Sequence, residues 1–119
     1  MPQHIILGLQ EEITIFGAKG KKEKVLARID TGATSSSMDN TLAARLELTP
    51  LTKTKLIKSA LGVKRRPTIL AKIKIRHELL ETEFTLADRQ NLRYPLLIGQ
   101  NILKIGNYLI DPHKSDSPL

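Results

Sequence analysis

The chain has no cysteine and no tryptophan among its 119 residues, and only four aromatic side chains, Phe16, Phe84, Tyr94 and Tyr108. The missing thiols exclude disulfides, thiolate metal sites and a cysteine nucleophile. The shortage of rings disfavours single-stranded nucleic acid bound on stacking platforms. No apolar run approaches the ~20 residues of a membrane helix. The first residues carry a short apolar run broken at Gly8, no basic residue before it, and Glu11-Glu12 directly after. That is not the pattern of a secretory signal. The expectation is a cytoplasmic protein without membrane contact.

What is present suits a soluble globule: 40% apolar and 26% charged residues. A length of 119 is that of one domain over 1–119, with a core over 5–112 and a loose polar tail over 113–119. Nineteen Lys+Arg against twelve Asp+Glu leave a net charge of +7, which favours an acidic partner.

The dominant hydrophobic period is two. Strands are expected over 12–16 and 24–29, joined by Gly17-Ala18-Lys19-Gly20. Residues 68–76 alternate, with Ile69, Ala71, Ile73 and Ile75 on one face and Leu70, Lys72, Lys74 and Arg76 on the other. His77-Glu78 is the expected turn. Residues 81–86 return with Phe84 and Leu86 inward and Glu81, Glu83 and Thr85 outward. Short apolar strands follow over 94–98 and 108–110. Helix signals are few: Asn40 or Thr41 can cap a short helix ending near Glu47, and 99–104 can form one or two turns. Many short strands with two small helices point to an all-β sandwich or barrel.

The chemistry concentrates at Asp30-Thr31-Gly32, which ends the apolar strand Val25-Leu26-Ala27-Arg28-Ile29 and precedes Ala33-Thr34-Ser35-Ser36. A glycine there lets the chain turn, so that a carboxylate sits at a loop tip. The small residues after it permit close backbone approach. The plain alternative is a strand followed by an Asx-type turn. A second feature is Leu97-Ile98-Gly99, an apolar strand running through a glycine into Gln100-Asn101-Ile102-Leu103. Taken alone, it reads as core followed by a helix start.

In this order and spacing, the two features resemble the retropepsin-like aspartic peptidases over about residues 5–112. Stretches 7–11, 30–37 and 85–99 look most similar to a cellular branch carrying the label "ATP-dependent zinc protease". The resemblance implies a closed or partly open β-barrel of the acid-protease type with one or two short helices. It implies that Asp30 is catalytic, and that Thr31, Gly32 and Ala33 form the active-site loop and touch a second subunit. Leu97, Ile98 and Gly99 would support that loop. A flap over the cleft is expected at Ser59, Ala60, Leu61, Gly62, Val63, Lys64, Arg65 and Arg66. Its basic residues, with Lys53, Lys55 and Lys58, would attract an acidic or glutamate-rich polypeptide.

Aspartic proteolysis needs two carboxylates sharing a proton, and this chain holds one Asp-Thr-Gly. Asp39, Asp88, Asp111 and Asp116 lack that context. The second carboxylate is therefore expected from a second copy, in a C2 homodimer. Where viral members carry Asp after Asp-Thr-Gly-Ala and Arg after the apolar-apolar-Gly strand, this chain has Thr34 and Gln100. By the resemblance, an ion pair bracing the dimer would be replaced by weaker neutral polar contacts.

Neither part of the label's zinc and ATP has a motif here. His4, His77 and His113 are far apart in sequence, and Gly17-Ala18-Lys19-Gly20-Lys21-Lys22 lacks the Ser or Thr and the helix of a phosphate loop. No cofactor or metal is expected. Two rival readings remain: a non-catalytic dimeric binding module of the same fold, and a basic ribosome- or nucleic-acid-associated protein using Lys19, Lys21, Lys22, Lys24 and the Lys53–Arg66 region. Against the last, the basic residues are scattered and lack interleaved aromatics.

Overall fold

The computed structural model describes residues 3–50, 54–59 and 62–114. Period-two segments become strands because alternate apolar side chains can all be buried on one face of a sheet. Strand β1 (Ile5–Leu7) leads into β2 (Gln10–Phe16), a 3-10 turn (Ala18–Gly20) and β3 (Lys22–Ile29). Then come β4 (Ser37–Asp39), helix α1 (Asn40–Arg45), β5 (Thr54–Ser59), β6 (Gly62–Ile75) and β7 (Glu78–Ala87). Strand β8 (Leu96–Ile98), helix α2 (Gln100–Leu103) and β9 (Tyr108–Ile110) end the fold.

Pairing runs β2-β3-β8-β4-β7-β6, and β6 pairs back onto β2 through Ile13 opposite Ile75. Six strands therefore close into a barrel, which satisfies every sheet edge in the ring. The length of β6 explains its double use. Its second half places Ile69, Ala71, Ile73 and Ile75 in the core. Its first half, Gly62 to Pro67, has no apolar alternation and leaves the barrel paired only with β5. The interior is filled by Leu7, Ile13, Ile15, Met38, Leu42, Phe84, Leu96, Ile98 and Ile102 with the β6 residues.

Three local expectations change in the folded chain. The tight turn after β6 is Arg76-His77, because Ile75 pairs with Glu78, and Arg76 takes φ 57° to close it. The helix cap is Asp39, whose Oδ2 accepts from the N–H groups of Thr41 and Leu42 at 3.1 and 3.3 Å. Thr85 is buried, because segment 35–37 covers that end of β7; its hydroxyl donates to the Ser36 carbonyl at 3.3 Å.

A separate two-stranded parallel sheet joins β1 to β9 and sits beside a buried carboxylate. Glu11 accepts from the Gly8 N–H and from Lys114 Nζ, both at 2.7 Å, with Arg76 at 3.4 Å. Lys114 thus ties the end of the described chain to β2. Residues 115–119 of the expected tail lie outside the described residues. Among the described residues no helix is long and apolar enough to cross a membrane.

Candidate active site

Strand β3 ends at Ile29, and Asp30 opens the connection to β4. The Asp30 N–H donates to the Ile98 carbonyl at 2.9 Å, which continues the β3–β8 pairing by one residue and fixes the backbone of the carboxylate. Asp30 Oδ1 accepts from the Gly32 N–H at 3.0 Å, and its backbone carbonyl accepts from Ala33 at 3.3 Å. Asp30 is half-buried, whereas Thr31 and Gly32 are exposed. Gly32 does not occupy the left-handed region. A Cβ there would meet Asp30 Oδ1 at 3.4 Å, so this glycine supplies open space in front of the carboxylate, not a turn conformation.

The loop is held from below by the β8–α2 junction. The Gln100 N–H donates to the Ala33 carbonyl at 2.7 Å, and Gln100 Nε2 donates to the Thr31 carbonyl at 2.8 Å. Gly99 passes so closely that a Cβ would lie 2.3 Å from the Ser35 carbonyl oxygen and 2.8 Å from that of Ala33. Only glycine fits the crossing. Fully buried Ser36 completes it, accepting from the Gly99 N–H at 2.9 Å and donating to Asn101 Oδ1 at 2.6 Å. Asn101 Nδ2 in turn donates to the Glu83 carbonyl of β7 at 3.0 Å. One polar network thereby ties the Asp30 loop to the barrel wall. Leu97, Ile98 and Gly99 all lie beneath the loop, with Ile98 fully buried.

The other aspartates in the described chain have structural tasks. Asp39 caps α1 and accepts the Arg89 N–H on Oδ1 at 2.8 Å. Asp88 and Asp111 accept from Gln90 and His113, two residues ahead of each. Asp116 lies outside the described residues.

Beside the loop, under the β5–β6 arm, lies a cavity of about 490 Å³. Gly32, Ala33, Thr34, Ser35, Ser37 and Leu97 form its floor; Lys55, Lys58, Arg66 and Arg89 reach it from the sides. Of the basic residues expected to matter, the structure brings Lys55, Lys58 and Arg66 to this cavity. Lys64 and Arg65 stay on the exposed arm, Arg65 donating to Thr54 Oγ1 at 3.1 Å. The arm spans the expected flap from Ser59 to Gly62 and Val63; Lys53, Ala60 and Leu61 lie outside the described residues.

Arg89 has no role in the sequence reading, where it only falls within the stretch 85–99. Its Nε donates to the Tyr94 carbonyl at 2.9 Å, and burial pushes its guanidinium pKa down, with the nearby charge of Arg66 adding to the effect. Asp39 and Asp30 oppose that shift. Nothing local in the sequence marks Arg89, because the loop over 88–95 reaches the cleft only through pairing of distant strands. Ser36 and Asn101 were given no role for the same reason, and Gln100, noted only as standing where viral members carry Arg, bonds to Ala33 and Thr31 of its own loop. His4 and His77, distant in sequence, line one cavity with Glu78. Among the described residues no three His, Asp or Glu side chains converge as a metal site.

Comparison with known proteins agrees with the geometry. The model of the RimB-like family, described as retropepsin-like aspartic endopeptidase RimB, matches residues 38–117, two-thirds of the chain. The match begins after the Asp30 loop and includes Arg89 and the Gly99 crossing. A search of curated proteins found no match. Among solved structures, a protein of unknown function (DUF785), Lpg0085 from Legionella pneumophila, is 22% identical with a TM-score of 0.65, covering 95% of this chain and 97% of that one. EIAV protease complexed with the inhibitor HBY-793 is 18% identical, with a TM-score of 0.62 over 81% and 85% of the two chains. The retroviral protease-like domain of Ddi1 from Leishmania major is 20% identical, with a TM-score of 0.53 over 83% and 75%. At these identities the structures report the fold. With the barrel, the glycine crossing and the family match together, the chain belongs to the RimB-like family of retropepsin-like aspartic endopeptidases.

Proposed function

We propose that this chain is one subunit of a homodimeric aspartic endopeptidase, with Asp30 of each copy forming the catalytic pair. The observation that carries this reading is an aspartate at a braced loop tip, its backbone tied to Ile98 and its loop carried on the Gly99–Gln100 crossing, with Thr31 and Gly32 exposed beside it. Half of a two-carboxylate site is built; a second copy supplies the other half.

Two carboxylates brought close cannot both ionise, so the pair holds one proton and titrates as a unit. The ionised Asp30 takes a proton from a water whose oxygen adds to the scissile carbonyl carbon. The protonated Asp30 donates its proton to the carbonyl oxygen, giving a tetrahedral diol. Proton return to the amide nitrogen then lets the carbon–nitrogen bond break, releasing an amine and a carboxylic acid. Thr31 would hydrogen-bond across the two-fold axis, and the Gly32 backbone would contact substrate. The β5–β6 arm would cover the cleft. Lys55, Lys58, Arg66 and Arg89 around the cavity favour an acidic polypeptide.

The test is cleavage of glutamate-rich and neutral peptides by the purified chain at rising salt, with its mass in solution measured alongside. Asp30→Asn abolishes cleavage and leaves the dimer intact. Full activity in Asp30→Asn rejects the reading, and so does activity carried by a monomer. Equal rates on both peptides with no salt effect reject the acidic preference alone.

A further inference from the structure

The cavity beside the Asp30 loop is unusual in its charge. Four cations, Lys55, Lys58, Arg66 and Arg89, reach it, and among the described residues no Asp or Glu lines it. None of the four is paired with a described carboxylate, although ion pairs are common elsewhere, as for Lys19 with Glu47 and Arg45 with Glu23. On the floor, Ser37 is only 7% exposed, and its hydroxyl has no hydrogen-bond partner among the described residues. A buried hydroxyl left unpaired beside clustered cations is costly in an empty site. An anion that accepts from the hydroxyl and from a guanidinium removes both costs.

Arg89 is the cation best placed for that contact. Its backbone N–H is held by Asp39 Oδ1 at 2.8 Å and its Nε by the Tyr94 carbonyl at 2.9 Å. The Nε bond restrains the guanidinium of a residue that lines the cavity. Burial and the charge of Arg66 depress its pKa, as two like charges sharing a partly dry space should.

We propose that this cavity is a carboxylate-binding subsite for the substrate chain, in which Arg89 and Ser37 hold a carboxylate next to the Asp30 loop and Arg89 sets specificity. The assignment rests on the peptidase reading. It differs from general attraction to the basic arm: one carboxylate position dominates, and the exposed Lys64 and Arg65 contribute little. The carboxylate belongs either to an acidic side chain near the scissile bond or to the free end of the polypeptide.

Asp30→Asn leaves the lining residues in place, so binding can be measured apart from catalysis. The probe is a dye-labelled glutamate homopeptide, read by fluorescence anisotropy on the full-length Asp30→Asn protein. Arg89→Gln weakens binding at least about ten-fold, and Arg89→Lys, which keeps the charge, recovers part of it. Replacing Lys64 by Gln changes binding by no more than about two-fold. The glutamine homopeptide with an amidated end, which carries no carboxylate, fails to bind. If amidating the peptide's end abolishes binding, the chain end is the ligand; if only side-chain neutralisation does, it is an acidic residue. Should Arg89→Gln lose its fold by melting temperature, Arg66→Gln takes its place with the same expected loss. Unchanged binding in the folded variant, or equal binding of the glutamine peptide, overturns the subsite. Cleavage that survives Arg89→Gln undiminished would do so too while leaving the peptidase reading standing; binding without any cleavage by the parent chain would do the reverse.

Discussion

Gly99→Ala tests whether the crossing beneath the Asp30 loop holds this part of the fold. At Gly99, φ is −105° and ψ −169°, extended backbone that alanine adopts freely, so the substitution carries no conformational penalty. The cost is contact. The new Cβ would lie 2.3 Å from the Ser35 carbonyl oxygen, about 1.1 Å short of ordinary contact, and the atoms in the way are backbone, not the tip of a flexible side chain. Relief requires the 33–36 segment to move away from β8. That motion lengthens the Gly99 N–H to Ser36 and Gln100 N–H to Ala33 bonds, now 2.9 and 2.7 Å. Overpacking of this kind costs about 1–3 kcal/mol. With each disturbed hydrogen bond worth about 1 kcal/mol, a loss near 3 kcal/mol is expected. For a domain of this size that lowers the melting temperature by about 10–15 °C. Gly20→Ala is the matched control. There φ is +75° and no atom lies within 4 Å, so the penalty is conformational only, about 1 kcal/mol. Scanning calorimetry of both variants, with peptide cleavage measured below their transitions, separates the two cases. Gly99→Ala loses stability and cleavage together, and Gly20→Ala loses a little stability only. A Gly99→Ala melting temperature within about 3 °C of the parent, or a fall no larger than that of Gly20→Ala, refutes the crossing argument.

Asp39→Ala removes the α1 cap and the acceptor for the Arg89 N–H, costing about 2 kcal/mol by urea unfolding. It also weakens binding of acidic peptides, because the Arg89 loop loses its anchor. Phe84→Ala opens a cavity at a fully buried site and costs about 3–5 kcal/mol, read as a lower urea midpoint with an unchanged slope. The Tyr108 hydroxyl is held neutral well above its ordinary range, by burial first and by the Glu78 carboxylate second. The folded state therefore keeps a proton that the unfolded chain releases above about pH 10, and stability falls as pH rises past that point. Tyr108→Phe flattens this alkaline decline in urea midpoints collected between about pH 8 and 11.

Much of this fold is legible in the residue order because alternation is a local property. Ile69, Ala71, Ile73 and Ile75 declare a buried face without reference to any partner, and all four are buried. Tyr108 to Ile110 is a strand with the expected limits. Boundaries were less legible where a neighbour decides them. Asp39 takes the cap position from Asn40 and Thr41 because its carboxylate also has the Arg89 N–H to accept, fifty residues away. Thr85, polar and at an outward position, is buried because segment 35–37 lies over it.

The candidate site divides along the same line. Asp-Thr-Gly and the later apolar-apolar-Gly strand mark the loop tip and its crossing by residue type alone, and at Gly99 only glycine tolerates the approach. The sequence by itself determined the alternating strands, the loop aspartate and the excess of positive charge. Only the tertiary structure decided which cations face the cleft. Lys55, Lys58 and Arg66 gather there with Arg89, while Lys64 and Arg65 are exposed and do not line it, although they adjoin Arg66 in the chain. The physical reason is barrel closure: β6 joins the ring only from Thr68 onward, so its first half, paired with β5 alone, leans over the loop that β3 and β8 present. Side-chain charge is written in the sequence, but the direction in which it acts is set by strand pairings between residues far apart along it.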